Sequence, residues 1–292
     1  MPEQLQGVTD TAGPAEKLAL DSLALLQKVS DQTATLVQIA PGLAYMKILM
    51  VNICFISHSD AAGWFLVDAG LPGAAASIDA AARQLYGPGA WPAAIILTHG
   101  HFDHVGALDE LIEKWDVPVY AHTDELPFLT GRQDYPPADP SASDGLLAKI
   151  SPLYPRRAIN LGDRVRPLPA EGAIPGLPGW RWLPTPGHTP GHIALFRTAD
   201  KVLIAGDAFT TVEQESAVAV LRQEKEIHGP PAYFTPDWRQ AANSVRRLAA
   251  LNPSLAVTGH GLPLAGKELD THLDKLARDF VHLALPHHAR HV

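Results

Sequence analysis

His99, His101, Asp103 and His104 place four metal-coordinating side chains within six consecutive residues, His99-Gly100-His101-Phe102-Asp103-His104. In an extended segment, side chains two apart point the same way, so His99 and His101 form one pair, while Asp103 and His104 fall at the turn into a following helix. Two pairs facing slightly different directions can serve two ions. Gly100 is expected to permit a tight turn between the first two ligands. Four more residues of the same chemistry stand alone: Asp68 after Phe65-Leu66-Val67, His188 after Trp182-Leu183-Pro184-Thr185-Pro186-Gly187, Asp207 after Leu203-Ile204-Ala205-Gly206, and His260 after Ala256-Val257-Thr258-Gly259. Each follows an apolar run that reads as a buried strand, so a shared sheet edge would gather them at one place. Cys54 is the only cysteine. It allows no intrachain disulfide and no thiolate-rich site, so any metal must be held by nitrogen and oxygen.

The elements that must deliver these residues can be read from the apolar pattern. Residues 35–68 form apolar, β-branched runs broken at Pro41-Gly42 and at 59–63, which predicts consecutive antiparallel strands. Residues 74–86 are helical by composition. A strand over 93–97, a helix carrying Val105, Leu108, Ile112 and Trp115 at helical spacing, and a strand over 117–120 make a strand-helix-strand unit. Residues 132–155 are rich in turn chemistry and predict a long loop or lid. Strands follow near 163–168, 180–183, 193–196 and 202–205. Thr235-Pro236 resembles an N-cap with proline in the first turn, opening a helix through residue 251. A strand over 255–257 and a helix bearing Leu269, Leu273, Leu276 and Phe280 complete the pattern. Both halves run from strands into strand-helix alternation, which predicts an α/β fold with sheets inside and helices outside.

Of the 292 residues, 46% are hydrophobic and 18% charged, a balance that suits a folded domain. The formal net charge of −8 opposes the basic footprint of a protein that grips phosphate backbones, so no nucleic-acid partner is expected. No apolar stretch is long enough to span a bilayer, and residues 1–10 lack both a basic n-region and an apolar h-region. The expected compartment is the cytoplasm, with no membrane partner. Residues 1–34 read as an N-terminal extension with a helix near 14–27, and 35–292 as one domain that includes the 132–155 segment and the C-terminal helix.

With its His-x-His-x-Asp-His run at 99–104 and later single residues at 188, 207 and 260 in matching order, the sequence resembles the metallo-β-lactamase superfamily of metallohydrolases. The resemblance implies a four-layer αβ/βα sandwich with the metal site at one edge of the two sheets. It implies one ion on His99, His101 and His188, another on Asp103, His104 and His260, and Asp207 bridging them. Nitrogen and oxygen ligation suits two Zn2+ ions. The implied activity is hydrolysis of a small ester, lactone, thioester or phosphotriester by a hydroxide held between the ions, with Asp103 or Asp207 as the catalytic proton acceptor. Asp68 would support the ligands from behind, although an Asp before Ala-Gly reads equally well as a turn former.

Phe209, Tyr135, Tyr154 and Tyr233 are candidates for the substrate pocket, and each could equally belong to the core. His192, four residues after His188, reads as support for the Thr189-Pro190-Gly191 turn, with a place behind the ligands as the alternative. The second ligand set contains no Cys, unlike that of the common class B1 β-lactamases. Gly206-Asp207-Ala208-Phe209-Thr210 departs from the Gly-Asp-x-Leu-Phe of glyoxalase II thioesterases. Thr210 stands where lactonases of quorum signals carry a tyrosine. Two other readings remain: a mononuclear iron enzyme of the persulfide dioxygenase type, which a full second ligand set opposes, and a non-catalytic metal-dependent sensory module. The substrate is expected to be a small molecule, and the oligomeric state stays open, a homodimer included.

Overall fold

The computed structural model of the protein describes residues 34–57, 59, 63–156, 159–216 and 226–286. The helix expected over 14–27 lies outside these residues. Strands β1 (Thr35–Ala40), β2 (Leu43–Ile48), β3 (Val51–Ser57), β4 (Trp64–Val67), β5 (Pro92–Ile96), β6 (Val119–Ala121) and β7 (Val165–Pro167) form one sheet in chain order. The first four pair antiparallel, as hairpin-length connections dictate, and β4 to β7 run parallel through crossovers. Helices α1 (Ala75–Tyr86), α2 (Phe102–Val105), α3 (Leu108–Trp115) and α4 (Leu126–Leu129) lie on these crossovers. The second sheet has the order β12-β11-β10-β9-β8, from β8 (Trp180–Pro184), β9 (Ile193–Arg197), β10 (Val202–Gly206), β11 (Leu255–Thr258) and β12 (Leu264–Ala265). Helix α5 (Leu146–Ile150) precedes this sheet, and α6 (Trp238–Ala249) and α7 (Gly266–Leu283) cover it.

Side-chain alternation along the strands divides the interior into three cores. Ala44, Met46, Ile53, Phe55, Leu66 and Ile95 face Ile78, Leu108, Leu111 and Trp115 of the helices. Their alternating neighbours Leu43, Tyr45, Cys54, Phe65 and Ile96 pack against Trp182, Leu195, Ile204 and Val257 of the second sheet. The other face of that sheet, with Phe196, Leu203 and Ala256, meets Val245, Leu248, Leu269, Leu273 and Leu276. Helix, sheet, sheet and helix are thus four layers, the αβ/βα sandwich expected from the sequence. No helix among the described residues is long and apolar enough to cross a membrane.

Three local expectations change. The single run read through 43–57 is a hairpin turning at Leu49-Met50, with Leu49 at φ 57° and no turn-forming residue in the loop. Helix α6 is capped by Asp237, whose carboxylate accepts from the Gln240 N–H at 2.9 Å, rather than by Thr235. Segment 132–155 is a packed wall as much as a loop: it contains α5, and Ala142 and Ala148 pack on Tyr233.

An ion-pair cluster clamps α1 to α3. Asp79 Oδ2 receives Lys114 Nζ at 2.7 Å and Arg83 Nε at 2.8 Å, and its Oδ1 accepts from Trp115 Nε1 at 3.2 Å. Burial pushes the Asp79 pKa up, but the Lys114 and Trp115 hydrogen bonds and the two cations outweigh it and hold the carboxyl below its usual range. A depressed folded-state pKa contributes stability above the unfolded value of about 3.9, and that contribution is lost as pH falls through the folded value. Asp79→Asn is expected to cost about 1–2 kcal/mol at pH 7, lowering Tm by about 2–5 °C. The Tm difference between wild type and variant should shrink below roughly pH 3. Thermal scans at the two pH values check this; a difference independent of pH would refute it.

Candidate metal centre

Asp68, His99, His188, Asp207 and His260 all stand just past the ends of strands or the turns that follow, and the two sheets are joined by backbone hydrogen bonds at this edge. Ile193 N donates to Thr98 O at 3.0 Å, and Asn52 N to Gly259 O at 2.7 Å. The structure brings His99, His101, Asp103, His104, His188, Asp207 and His260 together. Their ligand atoms form three overlapping groups within 4.8 Å: His99 with His101 and His188; His99 with His104 and Asp207; and Asp103 with His104 and His260. Every one is buried except Asp103, whose side chain keeps 14% of its exposure.

The hydrogen bonds behind the rings set which nitrogen faces the cluster. Thr98 Oγ1 donates to Asp68 Oδ2 at 2.8 Å, which leaves it to accept from His99 Nδ1 at 3.1 Å. Thr235 Oγ1 donates to Pro231 O and so accepts from His188 Nδ1 at 3.1 Å. His104 Nδ1 donates to Asp68 Oδ2 at 2.9 Å, and His260 Nδ1 to Met50 O at 2.9 Å. Four imidazoles therefore turn Nε2 inward, the nitrogen through which a metal would bind once it carries no proton. The fifth, His101, turns its Nδ1 to within 2.9 Å of His188 Nε2.

Burial, reinforced by neighbouring imidazoles, pushes the pKa of His99 and His188 well down and that of His101 to about 3, so these rings are neutral. Burial acts the same way on His104 and His260, but Asp207 and Asp103 beside them, with Asp68 behind His104, overcome it and favour positive charge. Asp207 is the converse case: burial opposes its ionisation, and His260 and His104 reverse that.

These donors fit a metal pair. Asp207 Oδ2 lies 3.5 Å from His188 Nε2 and 3.2 Å from His260 Nε2, and His260 Nε2 is 3.4 Å from Asp103 Oδ2. Tetrahedral sites with bonds of about 2.0–2.1 Å separate their ligands by about 3.3 Å. His99 Nε2, His104 Nε2 and Asp207 Oδ1 are buried with no hydrogen-bond partner among the described residues, although buried polar atoms are normally satisfied. Asp207 comes within 3.5 Å of His188 from the first set and of His104 and His260 from the second.

Asp68 performs both tasks between which the sequence did not choose. It adopts φ 61° at the turn, and its carboxylate accepts from Thr98 N, Thr98 Oγ1 and His104 Nδ1. Tyr135 is buried with its ring 4.5 Å from that of His101, while its hydroxyl bonds Gly100 N and Glu125. Tyr154 and Tyr233 border a cavity beside Asp103. Phe209 is fully buried in the core under α6 and α7, so its aromatic bulk serves packing rather than a pocket wall. Gly100 has no positive φ; it is required for space, since a Cβ there would lie 2.7 Å from Tyr135 Oη and 2.9 Å from Leu129 Cδ2.

Two supporting residues, Glu125 and Asn52, escape the sequence reading, and a third, His192, is named there. Glu125 is fully buried, and its carboxylate accepts from Gly100 N at 3.0 Å, Thr189 Oγ1 at 2.6 Å, Gly191 N at 3.0 Å and Tyr135 Oη, tying the loop of His99 and His101 to that of His188. Asn52 donates from Nδ2 to Thr258 O and Gly261 O on both sides of His260. His192 Nε2 accepts from Asp207 N at 2.9 Å, so it holds Asp207 as well as its own turn through Thr185. A single buried Glu or Asn has no local signature. The one available hint was His192, four residues after His188.

A family model described as "Metallo-beta-lactamase superfamily" matches residues 47–260. The chain is 51% identical over 239 residues to a probable metallo-hydrolase, YflN, of Bacillus subtilis (strain 168), covering 82% of this chain and 90% of that protein. It is 28% identical to a hydroxyacylglutathione hydrolase of Xanthomonas euvesicatoria pv. vesicatoria, over 70% of this chain and 59% of that one. Among solved structures, TTHA1623 in a di-iron-bound form matches with TM-score 0.51 and 27% identity, covering 84% of this chain and 97% of that chain.

A Cβ on Gly259 would stand 2.0 Å from Asp207 Oδ1 and 2.8 Å from His104 Cε1. Gly259→Ala is therefore expected to weaken metal retention by about tenfold or more. Metal content after dialysis against a graded chelator checks this, and unchanged retention would contradict it. Glu125→Ala strips the acceptor from four donors and should cost about 3 kcal/mol or more. The measurement is the denaturation midpoint; a loss below about 1 kcal/mol would show that Glu125 is not the clamp its contacts describe.

Proposed function

The chain belongs to the metallo-beta-lactamase superfamily and is a metallo-hydrolase, and from that premise we propose that it is a dinuclear zinc enzyme cleaving a small ester, lactone, thioester or phosphotriester. The observation that carries the dinuclear reading is the position of Asp207: one buried carboxylate reaches His188 with the same oxygen that reaches His260, and its other oxygen lies 3.5 Å from His104 Nε2. A single ion on His99, His101 and His188 would leave Asp103, His104 and His260 without a task. His99, His101 and His188 would hold one ion, Asp103, His104 and His260 the other, and Asp207 both. Such ions supply Lewis acidity toward the substrate oxygen and bring the pKa of water from 15.7 down to about 7.

The protein's own groups do the rest. Asp68, Thr98, Thr235 and the Met50 carbonyl fix the ring orientations before substrate arrives, so little reorganisation accompanies the reaction. Asp103 is the one cluster carboxylate with solvent-facing surface, and the carboxylate oxygen not taken by a metal would accept a proton from water or return one to a leaving group. His101 and His188 border one small cavity and Asp103 another, and no Lys or Arg among the described residues lines either, which supports a reading with uncharged substrates. The di-iron state of one similar structure makes metal identity the first measurement.

Protein purified without added metal is expected to carry about two zinc ions per chain and to hydrolyse members of a panel of p-nitrophenyl esters, lactones and phosphotriesters. Asp207→Ala should lose metal and reduce kcat/KM by about 100-fold or more while the circular dichroism spectrum is retained. One iron per chain in active protein would overturn the dinuclear zinc assignment. A metal-replete wild type inert on the whole panel would favour a sensory module.

A further inference from the structure

Beside Asp103 lies an apolar cavity of about 250 Å³, walled by Leu49, Met50, Phe102, Tyr154, Tyr233 and Phe234. Its volume falls below the range of about 300–1,000 Å³ typical of drug-sized ligands, which suits a chain or a single ring. Two features mark it as built for a ligand. The first is the Leu49-Met50 hairpin tip: two-residue hairpin loops favour Asn-Gly, yet here an apolar pair forms the tip and Leu49 holds φ 57°. Backbone strain in a bulky residue is retained where the surroundings require it. The second is Gln214, which also borders the cavity. It is 2% exposed, its Oε1 has no partner among the described residues, and its Nε2 meets only the Met50 sulfur, at 3.9 Å. A thioether is a weak acceptor, so this amide is effectively unsatisfied among the described residues.

We propose that this cavity receives the apolar chain of the substrate and that the substrate carries a hydrogen-bond donor, an amide N–H or a hydroxyl, which pairs with Gln214. This rests on the hydrolase reading above and specifies the substrate of that same site: a carbonyl ester, lactone or thioester with an aliphatic or aryl chain and an internal donor. The cleaved bond faces Asp103 and the metal cluster, while the chain runs under the hairpin tip. Fully charged chains are excluded by the apolar wall.

The test uses the metal-loaded full chain and p-nitrophenyl alkanoates from acetate upward, together with N-acylamino esters and their carba analogues, in which CH2 replaces N–H. Each added methylene should raise kcat/KM about fourfold until the cavity is filled, after which the gain stops. Donor-bearing esters should be preferred over their carba analogues about fivefold or more, and Gln214→Leu should abolish that preference while the chain-length trend persists. Calorimetric titration with non-hydrolysable N-alkyl amides provides a readout independent of turnover, with affinity expected to rise with chain length. A flat chain-length series in protein that hydrolyses the esters overturns the cavity assignment and leaves the hydrolase reading intact. Length-dependent amide binding in protein inert on every ester supports the cavity and counts against the ester reading. Flat binding as well as flat kinetics overturns the proposal, and a donor preference that survives Gln214→Leu overturns the role given to Gln214.

Discussion

An imidazole can coordinate a metal only through an unprotonated nitrogen, so a cluster of five histidines is useful only if something else decides where each ring keeps its proton. Here the decision is made behind the rings. Asp68 takes the proton side of His104, Thr98 that of His99, Thr235 that of His188, and the Met50 carbonyl that of His260. Asp68, Thr98 and Met50 stand on connections of the first sheet and Thr235 on the segment before α6, while His188 and His260 follow strands of the second sheet, so the arrangement exists only when the two halves have come together. Burial adds to it: His99, His101 and His188 are pushed toward the neutral form, while the carboxylates favour charge on His104 and His260.

The same requirement explains why the two sheets are stitched together at this edge. A hydrogen bond from Ile193 to Thr98 and the contacts of Asn52 with the Gly259–Gly261 loop replace what loose loops would otherwise leave to chance. Glu125 does the corresponding work between the His99–His101 turn and the His188 turn. A buried carboxylate is costly unless its oxygens are fully occupied, and Glu125 meets that condition with backbone and hydroxyl donors from both loops. The stability of these connections and the geometry of the cluster are therefore one property.

Much of this was legible in the sequence where a periodic or dense signal existed. Alternation in β2 to β5 and helical spacing in α3 and α7 gave the layers, and four coordinating residues in six marked the centre of the site. The rest depended on contacts distant in sequence. Asn52 lies more than 200 residues from the carbonyls it holds, and Glu125 sits in an ordinary-looking Thr-Asp-Glu turn. The Leu49-Met50 turn contains neither Gly, Pro nor Asn, so turn chemistry could not reveal it. Thr-Pro often stands at a helix start, which makes Thr235 the expected cap, but its hydroxyl orients His188 and Asp237, two residues on, takes the cap. Phe209, next but one to Asp207, was drawn toward the site by chain proximity; the backbone turn after β10 sends it into the opposite core.

That hairpin tip joins two functions that are usually separable. The Met50 carbonyl accepts the His260 proton, its sulfur lies against Gln214, and its side chain and that of Leu49 wall the cavity beside Asp103. A polar Asn-Gly turn would relieve the strain at Leu49 but remove the apolar wall, and a longer loop would shift the carbonyl that orients His260. The position therefore accommodates only residues that keep the backbone path while presenting apolar side chains, a constraint set by a ligand ring on one side and a cavity on the other. On the reading of the cavity proposed above, substrate range would be easier to change at Tyr154, whose ring packs on Phe102, Tyr233 and Phe234, than at Phe234, whose ring lies 4.7 Å from that of His101.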